Sequence, residues 1–120
     1  NKSIGEVLLT PTKVYIKSCL AALKTGKVKA LAHITGGGLV ENLPRVLSEG
    51  VEAEIDYDSW ESPKIFPWLQ KTGNVSDEEM RRTFNCGIGM VLVVSQENAK
   101  EVQEILNQAG EEATIIGSLK

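Results

Sequence analysis

Three consecutive glycines at positions 36–38 constrain the fold of this chain more than any other feature. They directly follow residues 28–35, VKALAHIT, whose apolar pattern predicts a strand with Val28 and Ile34 on one face. Residues 39–42 after them have a helical pattern. Glycine adopts left-handed backbone conformations without steric cost. We therefore predict a sharp strand-to-helix turn in which at least one of the glycines has a positive φ.

The rest of the chain also alternates between helical and strand patterns. Thr10 and Pro11 suit the start of a helix that Gly26 can end. Further helices are predicted at 62–73, 76–84 and 95–110, and further strands at 51–58, 87–94 and 112–119. The strand at 87–94 is the most apolar and is expected to be central and buried on both faces. This alternation predicts a layered α/β or α+β fold with one core.

The charge balance and the scattered metal-ligand residues exclude several classes of function. The net charge is −3, from 16 acidic and 13 basic residues, which argues against nucleic acid as a partner. No apolar run is long enough to span a membrane. We expect no metal site, because the only histidine, His33, lies far in the sequence from Cys19 and Cys86. We expect both cysteines to be reduced, as in a cytoplasmic protein. Because the chain starts at Asn1 and not at methionine, we expect it to be part of a longer protein.

The glycine loop is the best candidate for a binding site. Successive glycine N–H groups can form a concave site for an anion, and the start of the next helix adds positive potential. The candidate phosphate-binding residues are Thr35, Gly36, Gly37 and Gly38. The segment lacks the Lys-Ser/Thr pair of a P-loop and the spacing of a dinucleotide fingerprint. A tight turn without any ligand is therefore the alternative interpretation.

Three further polar residues are candidates for the same site. His33 lies at the end of the predicted strand, where it could contact a ligand, transfer a proton as a catalytic residue, or serve the structure alone. Asn42 either caps the segment that restarts at Pro44 or faces the ligand. Asn85, in the second glycine-containing loop FNCGIG, either binds a ligand or holds the turn.

Two long stretches, HITGGGLVENLPRVL (33–47) and RTFNCGIGMVLVV (82–94), carry a family resemblance. With LLTPTKVY (8–15), they resemble the C-terminal domain of aminoimidazole ribonucleotide synthetase, also called phosphoribosylformylglycinamidine cyclo-ligase. The resemblance extends from Leu8 to Gly117. It implies a layered α/β (α+β) fold with a mixed sheet, partly ferredoxin-like. It also implies that residues 1–120 form a single domain, the C-terminal domain of a larger two-domain enzyme.

The resemblance further implies an activity. In this family ATP phosphorylates the formamide oxygen of formylglycinamidine ribonucleotide, a nitrogen of the same substrate attacks that carbon, and phosphate leaves. The products are aminoimidazole ribonucleotide, ADP and phosphate, in de novo purine biosynthesis. Mg²⁺ accompanies ATP, both held mainly by the N-terminal domain, and the full enzyme is a homodimer. The isolated chain is accordingly expected to be inactive.

The sequence leaves two questions about function open. The glycine loop could hold the phosphate of the substrate or a phosphate of ATP. The chain could also be a non-catalytic ligand-binding or assembly module of a related ATP-dependent superfamily member. A binding titration with substrate and ATP analogues, made with and without the N-terminal domain, distinguishes the two classes.

Overall fold

The computed structural model describes residues 1–120 and has the predicted alternation of helices and strands. The elements are α1 (Ile4–Leu8), α2 (Ile16–Leu23), β1 (Val28–His33), α3 (Gly38–Asn42), β2 (Ala53–Ile55), α4 (Ile65–Gly73), α5 (Asp77–Thr83), β3 (Met90–Val94), α6 (Ala99–Gln108) and β4 (Gly117–Leu119). Short 3₁₀ turns occupy Pro44–Val46 and Gln96–Asn98. The first of these confirms that Pro44 restarts the helical segment. None of the helices is long and apolar enough to cross a membrane.

The strands form two separate antiparallel pairs. β1 pairs with β3, with Leu31 opposite Leu92 and His33 opposite Met90. β2 pairs with β4 over three residues of each strand. The predicted α/β class is confirmed, but the mixed sheet is not, because no strand joins the two pairs and no parallel pairing occurs. This topology also does not confirm the partly ferredoxin-like arrangement.

A small core lies on both sides of the glycine loop. Ala32 and Ile34 project from one face at the end of β1, as the period of two requires. Leu39 and Leu43, four residues apart, project from the same side of α3. These four side chains are at most 5% exposed and pack together. The glycine loop is therefore anchored by buried side chains immediately before and after it.

The prediction that the strand within 87–94 is central and buried on both faces is wrong. Every residue of β3 is only partly buried. The physical reason is that β3 has one hydrogen-bonded neighbour, β1, so its other edge is unpaired. Its apolar composition alone could not distinguish a central strand from a strand at an edge.

The predicted helix start at Thr10 and Pro11 is also wrong. α2 begins at Ile16, and residues 10–15 are irregular. Lys13 Nζ lies 2.5 Å from a carboxylate oxygen of Glu111, and the Ser18 hydroxyl donates to the other oxygen at 2.9 Å. Since Glu111 follows α6, this contact ties the irregular segment to a distant part of the chain. A tertiary contact has here overridden a local helix-start signal.

The Lys13–Glu111 contact predicts a pH-dependent stability. The hydrogen bond from Lys13 holds the pKa of the Glu111 carboxyl below the usual value for a glutamate, while burial opposes that shift. The resulting stabilisation is complete above the unfolded-state pKa and is lost as the pH falls through the lower folded-state pKa. We expect Glu111→Gln to lower the free energy of unfolding by about 1 kcal/mol at neutral pH.

Urea unfolding at about pH 7 and about pH 3 measures this effect. The difference between wild type and Glu111→Gln should shrink at the acidic pH. Glu112→Gln, at the neighbouring exposed carboxylate, is the matched control and should have little effect at either pH. An equal loss for Glu111→Gln at both pH values would show that its charge plays no part.

Candidate functional site

Two glycine-containing loops meet at one edge of the β1–β3 pair. Because the strands are antiparallel, the end of β1 lies beside the start of β3, and His33 is opposite Met90. The Ile34 N–H donates to the Gly89 carbonyl at 2.9 Å. The loop at 36–38 and the loop at 85–89, separated by about fifty residues in the sequence, are therefore neighbours.

Gly38 serves packing. Its φ is +61°, and a Cβ added there would lie 2.1 Å from the Arg81 carbonyl oxygen and 2.6 Å from that of Phe84. Its N–H already donates to the Thr35 carbonyl at 3.0 Å. Gly38 therefore allows the start of α3 to lie against the end of α5, and its contact with phosphate stays a prediction. The predicted positive φ is confirmed here and at Gly37, where φ is +100°.

The N–H groups of Gly36 and Gly37 are free. Neither donates to any acceptor of the chain. Gly36 is exposed, and a Cβ added to it would meet no atom within 4 Å. Since α3 has only five residues, these two unused donors, and not the helix dipole, are the groups that the predicted anion would contact.

Asn42 lies beneath the loop and orients it. Its side chain is buried, and its amide donates to the carbonyls of Thr35 (3.2 Å), Gly36 (3.3 Å) and Gly38 (2.9 Å). No peptide bond is cis, so each C=O points opposite to the N–H of the next residue. By drawing the Thr35 and Gly36 carbonyls inward, Asn42 turns the N–H groups of Gly36 and Gly37 outward. Within the chain Asn42 therefore positions the loop, and its contact with a ligand stays a prediction.

Removing the Asn42 amide should leave three loop carbonyls without this donor. We expect Asn42→Ala to lower the free energy of unfolding by about 2 kcal/mol. Chemical denaturation checks the value, with Asn107→Ala as control, because Asn107 is exposed and makes a single hydrogen bond to Ala113 N–H. A loss no larger than that of the control would contradict the positioning role.

His33 and Thr35 lie at the rim of this loop. Both are exposed, and the imidazole of His33 makes no hydrogen bond within the chain. The Thr35 hydroxyl is 3.4 Å from Asn42 Oδ1, a weak contact that leaves its lone pairs free. The ring of Tyr15 lies edge-on to His33, with ring centroids 6.2 Å apart. Both residues are therefore free to meet a ligand bound at the glycine N–H groups.

Asn85 holds the second loop. Its Oδ1 accepts from the Gly87 N–H at 2.9 Å, and its backbone carbonyl accepts from Ile88 at 3.1 Å. This turn places Cys86 at φ +53° and Gly87 at φ +101°. Holding the turn thus accounts for the oxygen of the Asn85 side-chain amide. The NH₂ group of the same amide donates to no acceptor of the chain.

The cysteines and acidic residues provide no reactive or metal-binding centre. Both cysteines are free, as predicted. Burial raises the pKa of the Cys86 thiol, and also that of Cys19, which keeps both thiols protonated and weakly nucleophilic. No three side chains of His, Cys, Asp or Glu come together in a way that could hold a metal ion.

Tyr15 is the residue of this region that the sequence pattern misplaced. The helix start predicted at Thr10 and Pro11 would include Tyr15 in a helix, but the structure places it in the irregular segment before α2, beside His33. The contact joins residues 18 positions apart across two elements. No local pattern carries a signal for such a contact.

Comparisons with known proteins agree on one family. The family model described as "AIR synthase related protein, C-terminal domain" matches residues 1–120. A phosphoribosylformylglycinamidine cyclo-ligase of Neisseria meningitidis is 52% identical over 119 residues, which are 99% of this chain and 35% of that protein. The trifunctional purine biosynthetic protein adenosine-3 of Homo sapiens is 51% identical over 119 residues, and that of Bos taurus 52% over 117. The chain spans 12% of each of these two mammalian relatives.

Proposed function

Because the chain belongs to the AIR synthase related protein family, as a C-terminal domain of that family, we propose that it is part of an ATP-dependent cyclo-ligase. The reaction converts formylglycinamidine ribonucleotide and ATP into aminoimidazole ribonucleotide, ADP and phosphate. The name and 52% identity of the Neisseria cyclo-ligase support this proposal. The activity belongs to a longer protein, of which this chain supplies one side of the site.

The observation that carries the proposed role is the pair of free, outward-facing N–H groups at Gly36 and Gly37 beside His33. Backbone donors held in advance by a buried side chain bind an anion without further ordering of the loop. Asn42 provides that ordering. The Glu41 carboxylate lies against Gly37, and its other oxygen is 3.8 Å from Arg82 Nε. We propose that this side chain turns away when the anion binds, which makes the loop suited to a phosphate group.

The donor set favours the phosphate monoester of the ribonucleotide over the phosphates of ATP. Phosphates of ATP are normally bound together with Mg²⁺ and its carboxylate ligands. No three side chains of His, Cys, Asp or Glu come together in the chain, which supports a Mg²⁺ site built mainly by another part of the longer protein. We assign Mg²⁺ and ATP to the N-terminal domain of the longer protein and the ribonucleotide phosphate to the glycine loop.

The side chains at the rim complete the proposed site. His33 and Thr35 can each hydrogen-bond to a phosphate oxygen. Alternatively, the imidazole of His33 points away from the phosphate and accepts or donates a proton near the reacting nitrogen. Asn85 offers its free NH₂ from the second loop. Because these groups form only one side of a cleft, we expect no ring closure by residues 1–120 alone. The N-terminal domain and a homodimer of the longer protein complete the proposed enzyme.

Replacing His33 tests the proposed function. In the longer protein, His33→Asn should leave the unfolding midpoint unchanged, because the ring is exposed, and should lower kcat/KM for ring closure at least about tenfold. Lys29→Asn, at another exposed position of β1, is the matched control and should retain full activity. If His33→Asn turns over as wild type does, His33 takes no part in catalysis. If the longer protein binds the ribonucleotide but closes no ring, the chain belongs to a binding module.

A further inference from the structure

Tyr15 approaches the candidate site from a third segment of the chain. It is the residue immediately before α2, with φ −104° and ψ 6°, and its side chain is partly buried. Its ring packs edge-on against His33, the catalytic candidate. Tyr15 therefore lies where β1 ends and β3 begins, at the same edge as the two glycine-containing loops.

The hydroxyl of Tyr15 is not used within the chain. It forms no hydrogen bond to any protein group. Every buried side-chain polar atom of the chain has a hydrogen-bond partner. The Tyr15 hydroxyl has none, so it is not buried and is accessible to solvent. Burial of the ring raises the pKa of the phenol, partly opposed by Lys13, so that it stays protonated at neutral pH and can donate.

Gly89 makes room for this hydroxyl. A Cβ added to Gly89 would lie 2.0 Å from the Tyr15 oxygen and 2.9 Å from the ring carbon that carries it. Gly89 has no positive φ that would by itself require glycine. Its carbonyl accepts from Ile34, the residue after His33. The side chain missing at position 89 thus allows Tyr15 to lie against the backbone of the site.

The segment that carries Tyr15 is held in place from outside the site. Lys13 is bound to Glu111 and lies over the Tyr15 ring, with Nζ 5.6 Å from its centroid. Glu111 also accepts from Ser18 in the first turn of α2. These contacts keep residues 10–15 from continuing the helix, against their sequence pattern. Local conflicts of this kind are concentrated at functional sites.

We propose that Tyr15 is a ligand-binding residue whose hydroxyl donates a hydrogen bond to the sugar phosphate held at Gly36 and Gly37. The inference deepens the proposed function and rests on it. It adds a third segment to a site otherwise formed by two loops. It also explains why position 89 has no side chain and why residues 10–15 before α2 are not helical.

Binding of ribose 5-phosphate to the 120-residue chain tests the proposal. His33 is the only histidine, so its ring protons give an unambiguous NMR signal beside Tyr15. Tyr15→Phe should weaken binding about fivefold at an unchanged unfolding midpoint, because it removes one hydrogen bond and keeps the ring. Tyr57→Phe removes the hydroxyl of the only other tyrosine and should bind within about twofold of wild type.

Gly89→Ala provides a second, independent variant. Its Cβ should displace the Tyr15 hydroxyl and weaken binding by a similar factor. Combined with Tyr15→Phe, it should cause little further loss, because both changes remove the same interaction. Full additivity of the two losses would overturn the proposed link between Gly89 and the hydroxyl.

The outcomes separate this proposal from the proposed function. If Tyr15→Phe binds ribose 5-phosphate as wild type does while Gly36→Val loses binding, Tyr15 is not a ligand-binding residue and the phosphate site stands. If the wild-type chain does not bind the probe, the phosphate site of the chain fails. The Tyr15 proposal then fails with it, because no phosphate is held at Gly36 and Gly37 for the hydroxyl to contact.

Discussion

Gly38→Ala should lower the free energy of unfolding of the chain by at least about 3 kcal/mol. The added Cβ would lie 2.1 Å and 2.6 Å from two backbone carbonyl oxygens, of Arg81 and Phe84. Backbone atoms at the end of α5 cannot rotate away as a side chain could. The left-handed φ of +61° adds a further penalty for any residue with a Cβ.

Gly36→Ala is the matched control within the same run of glycines. Position 36 has no positive φ, and its Cβ would meet no atom within 4 Å. The free energy of unfolding of Gly36→Ala, measured in urea, should therefore equal that of wild type within about 0.5 kcal/mol. If Gly38→Ala were equally stable, α3 would not pack against α5 as the structure shows.

Local sequence patterns were sufficient for much of the fold. The strand β1, the helical restart at Pro44 and the left-handed glycines follow from hydrophobic period and backbone sterics, which act within a few residues. The Ser76 side chain accepts from the Glu79 N–H, as the spacing of these two residues suggests for a helix start. Such features depend on nearest neighbours along the chain.

The features that sequence patterns missed depend on distant contacts. Lys13 and Glu111, 98 positions apart, hold residues 10–15 out of a helix. β3 is as apolar as a central strand but has a single paired neighbour. The sequence also could not show that Gly38 serves packing while Gly36 is open to solvent. The two glycines differ because α5 lies close to Gly38 and not to Gly36.

Gly36→Val should weaken phosphate binding about thirtyfold without loss of stability. The valine side chain would fill open space next to Gly36. The proposed anion occupies this space when it accepts from the free N–H groups of Gly36 and Gly37. A thirtyfold loss is about 2 kcal/mol, the contribution of about one hydrogen bond to a charged group. Gly37 is less suitable for this test, because its φ of +100° makes any side chain costly to stability.

The most direct test is a ¹H–¹⁵N NMR titration of the 120-residue chain with inorganic phosphate, made for wild type and Gly36→Val. The amide signals of Gly36 and Gly37 should shift together and saturably in the wild type. This response should be lost in a Gly36→Val variant with an unchanged unfolding midpoint. Wild-type amides at 36 and 37 that do not respond to phosphate, or a folded Gly36→Val chain that binds phosphate with wild-type affinity, would contradict the proposed phosphate site. In either case the glycine loop would be only a turn.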